Sequence, residues 1–489
     1  MNNGVQVFSP RERNWGEAMK DYTTISRIYF IGIGGIGMSA LAKYYLSKNA
    51  SVSGYDKTVT TLTKQMENEG VNIHYVDSID LLDKNAQLIV YTPAVPKDHK
   101  ELNYYLQNNY EVIKRSALLG EITRSSFSIC IAGTHGKTTI STMVAHILRH
   151  SGFGCNAFLG GISVNYNTNF WSSDNNVSVA EADEYDRSFL QLSPDIALIS
   201  AMDADHLDIY GTKENMEHSF VQFSERLRSG GLLLTNYSLP VTEFSAANHI
   251  RYSFRNNAAD VFSANVKFTN GGYQFNVVTK SWQIDNIELN MGGLHNIENA
   301  VAAITIAHRL NIEPEKIKSA IKDFKGVKRR FEYIIAPSPQ QEVTSNNVIF
   351  IDDYAHHPEE LNALISGAKS LFPGKKCTII FQPHLFSRTK DFADEFAASL
   401  DQADEIVLLP VYPARELPME GVSSSLIKDK MKSKNVRVLS KDELIQYIKN
   451  DYLKSIENDA AGNVLITAGA GDIDQLLNPI KQILLNTIL

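Results

Sequence analysis

The length and composition of the chain exclude several classes of protein. At 489 residues it is too long for a single hydrophobic core, so we expect roughly two to four domains. Hydrophobic residues make up 43% and charged residues 21%, which is ordinary for a globular protein in water. The net charge is −8 and the longest basic run is Lys328–Arg330, so the sequence argues against a nucleic-acid partner.

Cysteine usage and the N-terminal sequence bear on the cellular compartment. The three cysteines, Cys130, Cys155 and Cys377, lie far apart and have the spacing of neither a disulfide framework nor a metal site. Residues 1–21 lack the apolar segment of a signal peptide, and no run reaches the roughly eighteen apolar residues that cross a bilayer. We therefore expect a cytoplasmic protein without a membrane partner.

A first block, about 25 to 124, alternates strands and helices as a parallel α/β sheet does. The predicted strand Arg27–Ile31 leads into the glycine-rich turn Gly32–Gly37. A helix follows from Met38 to Leu46, and Asp56 ends the next strand. Taken alone, this dinucleotide-binding pattern indicates an NAD-dependent oxidoreductase. The same turn can hold any diphosphate, including that of a UDP-sugar, so both interpretations stay open.

The second block, about 125 to 332, contains a phosphate loop after the predicted strand Phe127–Ile131. Backbone N–H groups of such a loop face an anion, Lys137 reaches the terminal phosphates of a nucleotide, and the Thr138 hydroxyl can bind Mg²⁺. Ile131 replaces the first glycine of the general pattern, so a glycine turn with a solvated lysine is the alternative. The predicted nucleotide-binding residues are Gly133, Thr134, His135, Gly136, Lys137, Thr138 and Thr139.

Acidic residues follow two further predicted strands of this block. Glu181 comes after Val177–Ala180, and His206 comes shortly after Ile196–Ser200. Because the carboxyl ends of parallel strands meet at one edge of a sheet, we expect these side chains to converge with the phosphate loop around one nucleotide. Oxygen ligands suit Mg²⁺, which favours the Thr138 hydroxyl and the acids near 181 as ligands and makes His206 a less usual one. A solvated acidic loop with a capping histidine is the alternative.

Three more features of this block concern the fold and ligand binding. Short alternating runs from Arg251 to Leu289, around Asn270–Gly272, predict a small antiparallel insertion with a hairpin turn. Asn296 is a candidate helix N-cap, and Asn299 can meet the edge of a base or serve only in capping. Arg330 can contact a transferring phosphoryl group or remain a solvated linker charge.

The third block, about 333 to 489, returns to strand–helix alternation. Its predicted strands are Val348–Ile351, Thr378–Phe381, Glu405–Leu409 and Val464–Thr467. Asp353, Tyr354 and His356 follow the first of these strands, and Pro358 suits the start of a helix. Another histidine and an arginine follow the second strand, at 384 and 388. An acid, histidines and an arginine thus gather at one sheet edge, which stability alone does not explain.

Taken together, these segments resemble the Mur ligase family, the ATP-dependent amide-forming enzymes of peptidoglycan precursor synthesis. The resemblance runs from about residue 25 to 475. In the second block it rests on Gly133–Thr138, Glu181–Glu184, Asp205–His206, His295–Asn299 and Arg329–Phe331. In the other blocks it rests on Gly34–Ser39, Asp352–Pro358, Gln382–His384, Ser387–Thr389, Tyr412–Glu416 and Gly469–Asp472. The shortened glycine loop is the form that this family has.

The resemblance implies a three-domain α/β fold in which each domain has a mainly parallel sheet and flanking helices. These are a Rossmann-like UDP-sugar domain (25–124), a P-loop ATP domain with the small antiparallel insertion (125–332) and a Rossmann-like amino-acid domain (333–489). The implied reaction uses ATP and Mg²⁺. ATP phosphorylates the lactyl carboxylate of UDP-N-acetylmuramic acid, and the amine of L-alanine then attacks the acyl phosphate.

The same resemblance implies roles for individual residues. The catalytic residues are Lys137 at the terminal phosphates, Glu181 with Thr138 at one Mg²⁺, His206 at a second Mg²⁺ and Arg330 at the γ-phosphate. Asn299 meets the adenine and Asp353 the ribose. The diphosphate of the sugar nucleotide lies at Gly34, Gly35, Gly37, Met38 and Ser39. The incoming amino acid lies at Tyr354, His356, His384 and Arg388.

One position departs from the family pattern and leaves the amino-acid specificity open. Some relatives carry an arginine directly after the histidine of Gln382–His384, and here that residue is Leu385. A sister ligase that attaches a recycled murein peptide to the same nucleotide sugar would share the ATP site and differ in the amine pocket. Tyr354, the histidine pair that follows it and Ser387–Thr389 favour alanine. An NAD-dependent oxidoreductase would explain only the first block.

Overall fold

The structure is a computed structural model. It describes residues 22–203, 207–241, 243–269, 271–337, 348–414, 416–457 and 462–486. The strands form three sheets that follow one another along the chain, which confirms the predicted three-part, mainly parallel α/β fold. The domain boundaries themselves stay a prediction. Within the described ranges, no helix is both long enough and apolar enough to span a bilayer.

The first sheet has five parallel strands in the order β3-β2-β1-β4-β5. They are β1 (Arg27–Ile31), β2 (Ser51–Tyr55), β3 (Asn72–His74), β4 (Leu88–Tyr91) and β5 (Val112–Lys114). The helices are α1 (Ile36–Ser47), α2 (Thr61–Asn68), α3 (Lys100–Gln107) and α4 (Arg115–Ser125). The strand order reverses at the central β1. The glycine turn that joins β1 to α1 therefore lies where open α/β sheets bind ligands.

The second sheet has ten strands in the order β15-β14-β13-β12-β11-β10-β6-β9-β7-β8. The first five are β6 (Phe127–Ala132), β7 (Asn156–Ser163), β8 (Thr168–Trp171), β9 (Val177–Glu181) and β10 (Ile196–Ile199). The others are β11 (Leu232–Asn236), β12 (Asn248–Ser253), β13 (Val261–Thr269), β14 (Gly272–Thr279) and β15 (Gln283–Leu289). The helices are α5 (Lys137–His150), α6 (Leu207–Tyr210), α7 (Lys213–Ser224), α8 (His295–Arg309) and α9 (Pro314–Asp323). Neighbours β10, β6 and β9 run parallel, so the phosphate loop and the acidic segment leave the same edge.

The predicted antiparallel insertion is confirmed, but it continues the main sheet. Strand β12 still runs parallel to β11, and within this segment the antiparallel pairs are β13 with β14 and β14 with β15. Thr269 pairs with Gly272 across a hairpin turn in which Gly271 has a φ of +88°, and Asn270 lies outside the described residues. The antiparallel part therefore begins at Val261, because the chain from Arg251 first adds one more parallel strand.

The third sheet has six strands in the order β16-β17-β21-β18-β19-β20, and only β16 is antiparallel to its neighbour. They are β16 (Glu332–Ile335), β17 (Val348–Asp353), β18 (Lys376–Phe381), β19 (Glu405–Leu408), β20 (Val436–Val438) and β21 (Asn463–Ala468). The helices are α10 (Pro358–Leu371), α11 (Phe386–Asp391), α12 (Ala393–Leu400), α13 (Ser424–Lys428), α14 (Lys441–Tyr447), α15 (Leu453–Glu457) and α16 (Leu477–Asn486), with a π-helical turn at Ile448–Tyr452. Helix α10 begins at Pro358, as predicted.

Helix α1 of the first block packs on strands β7 and β8 of the second. The Tyr44 ring lies 5.4 Å from that of Phe158 and 6.1 Å from that of Phe170. The amide of Asn169, which is fully buried, donates to the carbonyl of Ile36 at 2.7 Å and to the hydroxyl of Ser39 at 2.9 Å. The first turn of α1, directly after the glycine turn, is therefore held by the central sheet.

Candidate active site

The phosphate loop leaves β6 and closes at the N-terminus of α5. Gly133 has a φ of +130°, and a side chain there would collide with the hydroxyl of Ser200. Gly136 has a φ of +80° and is the residue before α5. Thr134 is tied into the loop, because its hydroxyl accepts from the amide of Asp203 at 3.1 Å. The first amides of α5 point into the loop without partners in the helix, which is the arrangement that binds phosphate.

The ammonium group of Lys137 is held by an acid that the sequence interpretation left without a role. Lys137 Nζ donates to the carbonyl of Gly133 at 2.7 Å and to Glu184 Oε1 at 2.8 Å. The Glu184 side chain is only 2% exposed, and that of Lys137 is 14% exposed. The lysine is therefore not the solvated charge of the alternative interpretation. It neutralises a buried carboxylate beside the loop.

Thr138 and Glu181 lie together, as the sequence predicted. The Thr138 hydroxyl hydrogen bonds to the Glu181 carboxylate, whose Oε2 also accepts from the amide of Gly160 at 3.1 Å. Burial raises the pKa of Glu181, while Lys137, Thr138 and Arg330 oppose that rise. A desolvated carboxylate beside a hydroxyl and a phosphate loop fits a Mg²⁺ ligand, because the cation would offset the desolvation.

The third predicted metal ligand, His206, lies outside the described residues, as does Asp205. Among the residues that the structure describes, no three His, Cys, Asp or Glu side chains group closely enough to hold a metal ion by themselves. Thr138 and Glu181 offer two neighbouring oxygen groups beside the phosphate loop. This number suits Mg²⁺ when phosphate oxygens complete the coordination.

A cavity of about 300 Å³ adjoins the phosphate loop. It is lined by residues that include His135, Gly136, Met202, Asn236, Tyr252 and Asn299. The Asn299 side chain lies against the loop, since a Cβ on Gly136 would be 2.8 Å from its Oδ1. Its amide nitrogen donates to Asn296 Oδ1 at 3.0 Å, and its oxygen is the side-chain atom nearest to Gly136.

The predicted N-cap role of Asn296 is wrong. Leu294 precedes α8, and Asn296 lies inside the first turn with its amide donating to the carbonyl of Gly292 at 2.6 Å. Asn296 therefore closes the turn before the helix and orients Asn299. The pattern misled because an asparagine near a helix start is preferred both as an N-cap and as a turn residue.

Arg330 is exposed at the joint between the second and third sheets. Its charge acts on the carboxylates of Glu181 and Asp353 and on the imidazole of His295. The pKa of His295 is lowered, first by burial and then by Arg330 and His135. Arg330 is therefore close enough to Glu181, Asp353 and His295 to act on their charges, and its contact with a phosphoryl group stays a prediction.

The neighbouring Arg329, which carried no predicted site role, anchors the joint to the third sheet. Its guanidinium donates to the carbonyls of Gly469 and Gly471, and its Nε lies 3.5 Å from Asp352 Oδ2. It also lies over the ring of Tyr354, 5.0 Å from the centroid. In the sequence, the only indication of a role for Arg329 was its place beside Arg330 in the basic run. Nothing in the sequence showed which arginine binds the third sheet and which stays exposed.

The two aspartates that end β17 differ in their surroundings. Asp353 accepts from the amides of Phe331 at 2.7 Å and Ala355 at 2.8 Å, and burial raises its pKa to about 6. Asp352 is fully buried, accepts from Thr467 Oγ1 at 2.6 Å, and has a pKa that burial raises to about 7. Asp353 therefore ties the joint to the sheet edge, while Asp352 belongs to the interior.

The predicted amino-acid residues lie together at the edge of the third sheet. The ring of His356 is 5.2 Å from that of Tyr354 and 6.1 Å from that of His384. Arg388 Nη1 lies 3.5 Å from His384 Nδ1. Burial is the main cause that lowers the pKa of His356, His384 and Arg388. Leu385, the departure from the family pattern, precedes α11 with a φ of +71°.

The predicted diphosphate residues surround the turn after β1, but not all of their side chains are free. Gly34 donates its amide to Asp56 Oδ2 at 2.7 Å. Gly35 is the residue before α1. The side chains of Met38 and Ser39 are buried, at 1% and 0% exposed, and the Ser39 hydroxyl donates to the carbonyl of Ile36 at 2.9 Å. Any contact from Met38 to a ligand would therefore use its backbone amide.

Glycines, acids and basic groups thus meet at the carboxyl edges of three successive parallel sheets, which is the architecture of a multidomain nucleotide-dependent enzyme. Family models match each part of the chain. The Mur ligase family catalytic domain matches residues 27–127, the Mur ligase middle domain 131–307, and the Mur ligase glutamate ligase domain 329–471. The chain belongs to the Mur ligase family.

Individual relatives match over nearly the whole length. A UDP-N-acetylmuramate–L-alanine ligase of Cytophaga hutchinsonii is 46% identical, over 94% of this chain and 97% of its own. One of Porphyromonas gingivalis is 45% identical, over 94% and 99%. The crystal structure of a UDP-N-acetylmuramate–alanine ligase from Thermotoga maritima matches with a TM-score of 0.77 and 27% identity, over 94% and 99%. A murein peptide ligase of Psychrobacter arcticus, at 22% identity and a TM-score of 0.62, shares the fold.

Removing the ammonium group of Lys137 should destabilise the protein. In Lys137→Met the buried Glu184 carboxylate loses its partner, so we expect the free energy of unfolding in urea to fall by roughly 2–3 kcal/mol. The double variant Lys137→Met/Glu184→Gln has no buried charge and should recover most of the loss. Lys390→Met, at an exposed lysine, is the control. Wild-type stability of Lys137→Met would contradict the ion pair.

Because of the raised pKa of Asp352, the free energy of unfolding should fall as the pH rises. Its pKa is about 7 in the folded protein against a usual 3.8, so the folded state retains a proton that the unfolded chain has lost. This contribution is complete below about pH 4 and is lost as the pH rises through 7. Asp352→Asn should reduce the decline in the free energy of unfolding between pH 5 and 7 by roughly 1–2 kcal/mol.

The control for this pH series is Asp474→Asn, which removes an exposed carboxylate of the same sheet region. It should leave the wild-type decline in place. Equal slopes for Asp352→Asn and the wild type would mean that Asp352 is ionised in the folded protein throughout this range.

Proposed function

We propose that this protein uses ATP to join L-alanine to the lactyl carboxylate of UDP-N-acetylmuramic acid, in the cytoplasmic synthesis of peptidoglycan precursors. The observation that carries the proposal is the convergence of Lys137, Glu181 and Arg330 at one phosphate loop. The near full-length identity to UDP-N-acetylmuramate–L-alanine ligases supports the choice of substrates. Mg²⁺ is the ion that the oxygen ligands at Thr138 and Glu181 suit.

The first step of the reaction makes the carboxylate reactive. A carboxylate is a poor electrophile, and transfer of the γ-phosphoryl group from ATP to one of its oxygens gives an acyl phosphate and ADP. Both reactants of this step, ATP and UDP-N-acetylmuramic acid, are anionic, so the protein contributes charge neutralisation and alignment. Lys137 exchanges Glu184 for the terminal phosphates, and Arg330 neutralises charge on the γ-phosphoryl group. Thr138 and Glu181 would hold Mg²⁺, which supplies further neutralisation when bound.

In the second step the amine of L-alanine attacks the acyl carbon, and phosphate leaves. Arg388 is the cation that we assign to the amino-acid carboxylate. The lowered pKa values of His356 and His384 keep both imidazoles neutral near pH 7, so they can accept hydrogen bonds or a proton from the ammonium group. Tyr354 borders this pocket beside His356.

The sugar nucleotide is assigned to the turn after β1. The amides of Gly37 and Met38, at the start of α1, lack partners within the helix and can bind the diphosphate, whereas that of Gly35 donates to the carbonyl of Gly32 at 3.3 Å. Ser39 holds the first turn of α1 together. Asn299 and Asp353 are assigned to the adenine and the ribose of ATP, from the two sides of the joint at Arg330. These groups come from all three sheets, so closure around the acyl phosphate would exclude water.

Two other functions are less well supported. A ligase for recycled murein peptides would share the ATP site, but the murein peptide ligase structure at 22% identity supports the fold alone. An NAD-dependent oxidoreductase would explain only the glycine turn of the first block, and it leaves the phosphate loop at Lys137 without a purpose.

The test is ADP formation by the purified protein with ATP, Mg²⁺, UDP-N-acetylmuramic acid and a panel of amino acids. We expect L-alanine to give the highest kcat/KM and a tripeptide from murein to give little or none. Lys137→Met/Glu184→Gln should be at least about a thousandfold slower, because it lacks the phosphate contact and keeps its fold. ADP formation that requires the peptide instead of L-alanine would overturn the substrate assignment.

A further inference from the structure

Arg115 lies between the two nucleotide sites. It is the first residue of α4, the helix that connects the first sheet to the second. Its guanidinium packs on the first turn of α1, where a Cβ added to Gly37 would be 2.7 Å from its Nη1 and 3.3 Å from its Cδ. Position 37 therefore has to be glycine for this arginine to approach the turn so closely.

The other side of the guanidinium faces the second block. Arg115 Nη2 lies 3.2 Å from Asp183 Oδ2, and the arginine side chain is 20% exposed. Asp183 is part of the acidic segment Glu181–Glu184. One end of this segment hydrogen bonds to Thr138, and the other binds Lys137 of the phosphate loop. Arg115 is thus in direct contact with both the glycine turn and the acidic segment.

This position suits the recognition of a diphosphate. The amides at the start of α1 and the guanidinium over Gly37 present donors and positive charge to the same space. A guanidinium has five N–H donors in a planar fork, so it can bind Asp183 with one edge and phosphate oxygens with another. A lysine has a single charged nitrogen and cannot serve both partners in this geometry.

We propose that Arg115 binds the diphosphate of the nucleotide sugar and, through Asp183, positions the acidic segment Glu181–Glu184 for ATP. This inference rests on the proposed function, because it assumes that the glycine turn holds a nucleoside diphosphate. It adds a ligand residue that the pattern of glycines does not contain. It also gives a physical connection by which a bound sugar nucleotide affects the site of phosphoryl transfer.

The experiment compares the binding of UDP and uridine by isothermal titration calorimetry. The ratio of the two dissociation constants isolates the contribution of the diphosphate, since both probes carry the same base and ribose. Arg115→Ala should reduce this ratio about tenfold and leave the uridine affinity within about twofold. Arg115→Lys keeps the charge and should lie between the two. Lys114→Ala, which removes a 51% exposed lysine one residue earlier, should keep the wild-type ratio.

Asp183→Asn separates ligand binding from a purely structural ion pair. It keeps the guanidinium, so the ratio of UDP to uridine binding should stay within about threefold of wild type, while the KM for ATP rises. If Asp183→Asn lowers the ratio as much as Arg115→Ala does, Arg115 acts only as half of an ion pair and the inference is wrong.

Two further outcomes are distinct. A wild-type ratio in both Arg115→Ala and Arg115→Lys overturns the inference and leaves the proposed function intact. If the wild-type protein binds neither UDP nor UDP-N-acetylmuramic acid, the proposed function itself falls, and the role of Arg115 falls with it.

Discussion

The ion pair between Lys137 and Glu184 joins the phosphate loop to the acidic segment, and the arrangement of the candidate site depends on it. A lysine at the start of α5 and a buried carboxylate after β9 meet at 2.8 Å beside the phosphate loop. The pair neutralises the buried acid beside the loop. We propose that a nucleotide phosphate replaces this carboxylate at the lysine. The phosphate loop and the acidic segment are therefore one electrostatic unit, although they lie on different strands.

The rest of the site is arranged around this unit by the edges of three sheets. Arg329 and Arg330 occupy the joint between the second and third sheets, and their surroundings differ. Arg329 is held by Asp352 and by two carbonyls of the β21 edge, while Arg330 remains exposed toward Glu181 and Asp353. Because these contacts hold Arg329, the position of the adjacent Arg330 is restricted as well. We propose that this restriction places the charge of Arg330 at the bound nucleotide.

Much of this could be predicted from the sequence because strand and loop patterns are local. The glycine turn after Arg27–Ile31 and the loop at Gly133–Thr138 were found from spacing, and both lie where parallel strands place them. The cluster of Tyr354, His356 and Arg388 was likewise found, since these residues follow β17 and β18, which lie on either side of β21 and run parallel to it. In each case the carboxyl ends of parallel strands lie at the same edge of the sheet, so residues that directly follow such strands are close together in space.

What could not be predicted depends on contacts between distant segments. Glu184 differs from Glu181 only by position in an acidic run, and its burial against Lys137 follows from tertiary packing. The pairing of Arg115 with Asp183 joins residues of different blocks, which no local pattern records. The prediction of Asn296 as an N-cap was wrong because its side-chain amide donates to the carbonyl of Gly292 in the preceding turn. The Ser39 hydroxyl accepts a hydrogen bond from Asn169 of the central sheet. Its position in the glycine motif therefore did not show that this hydroxyl is already bound within the protein.

A crystal structure of the protein with a non-hydrolysable ATP analogue and Mg²⁺ would test directly whether Lys137 binds the nucleotide. We predict that the triphosphate lies along residues 133–138 and that Lys137 Nζ contacts its terminal phosphates after leaving Glu184. A triphosphate bound elsewhere, with the Lys137–Glu184 pair intact, would contradict it.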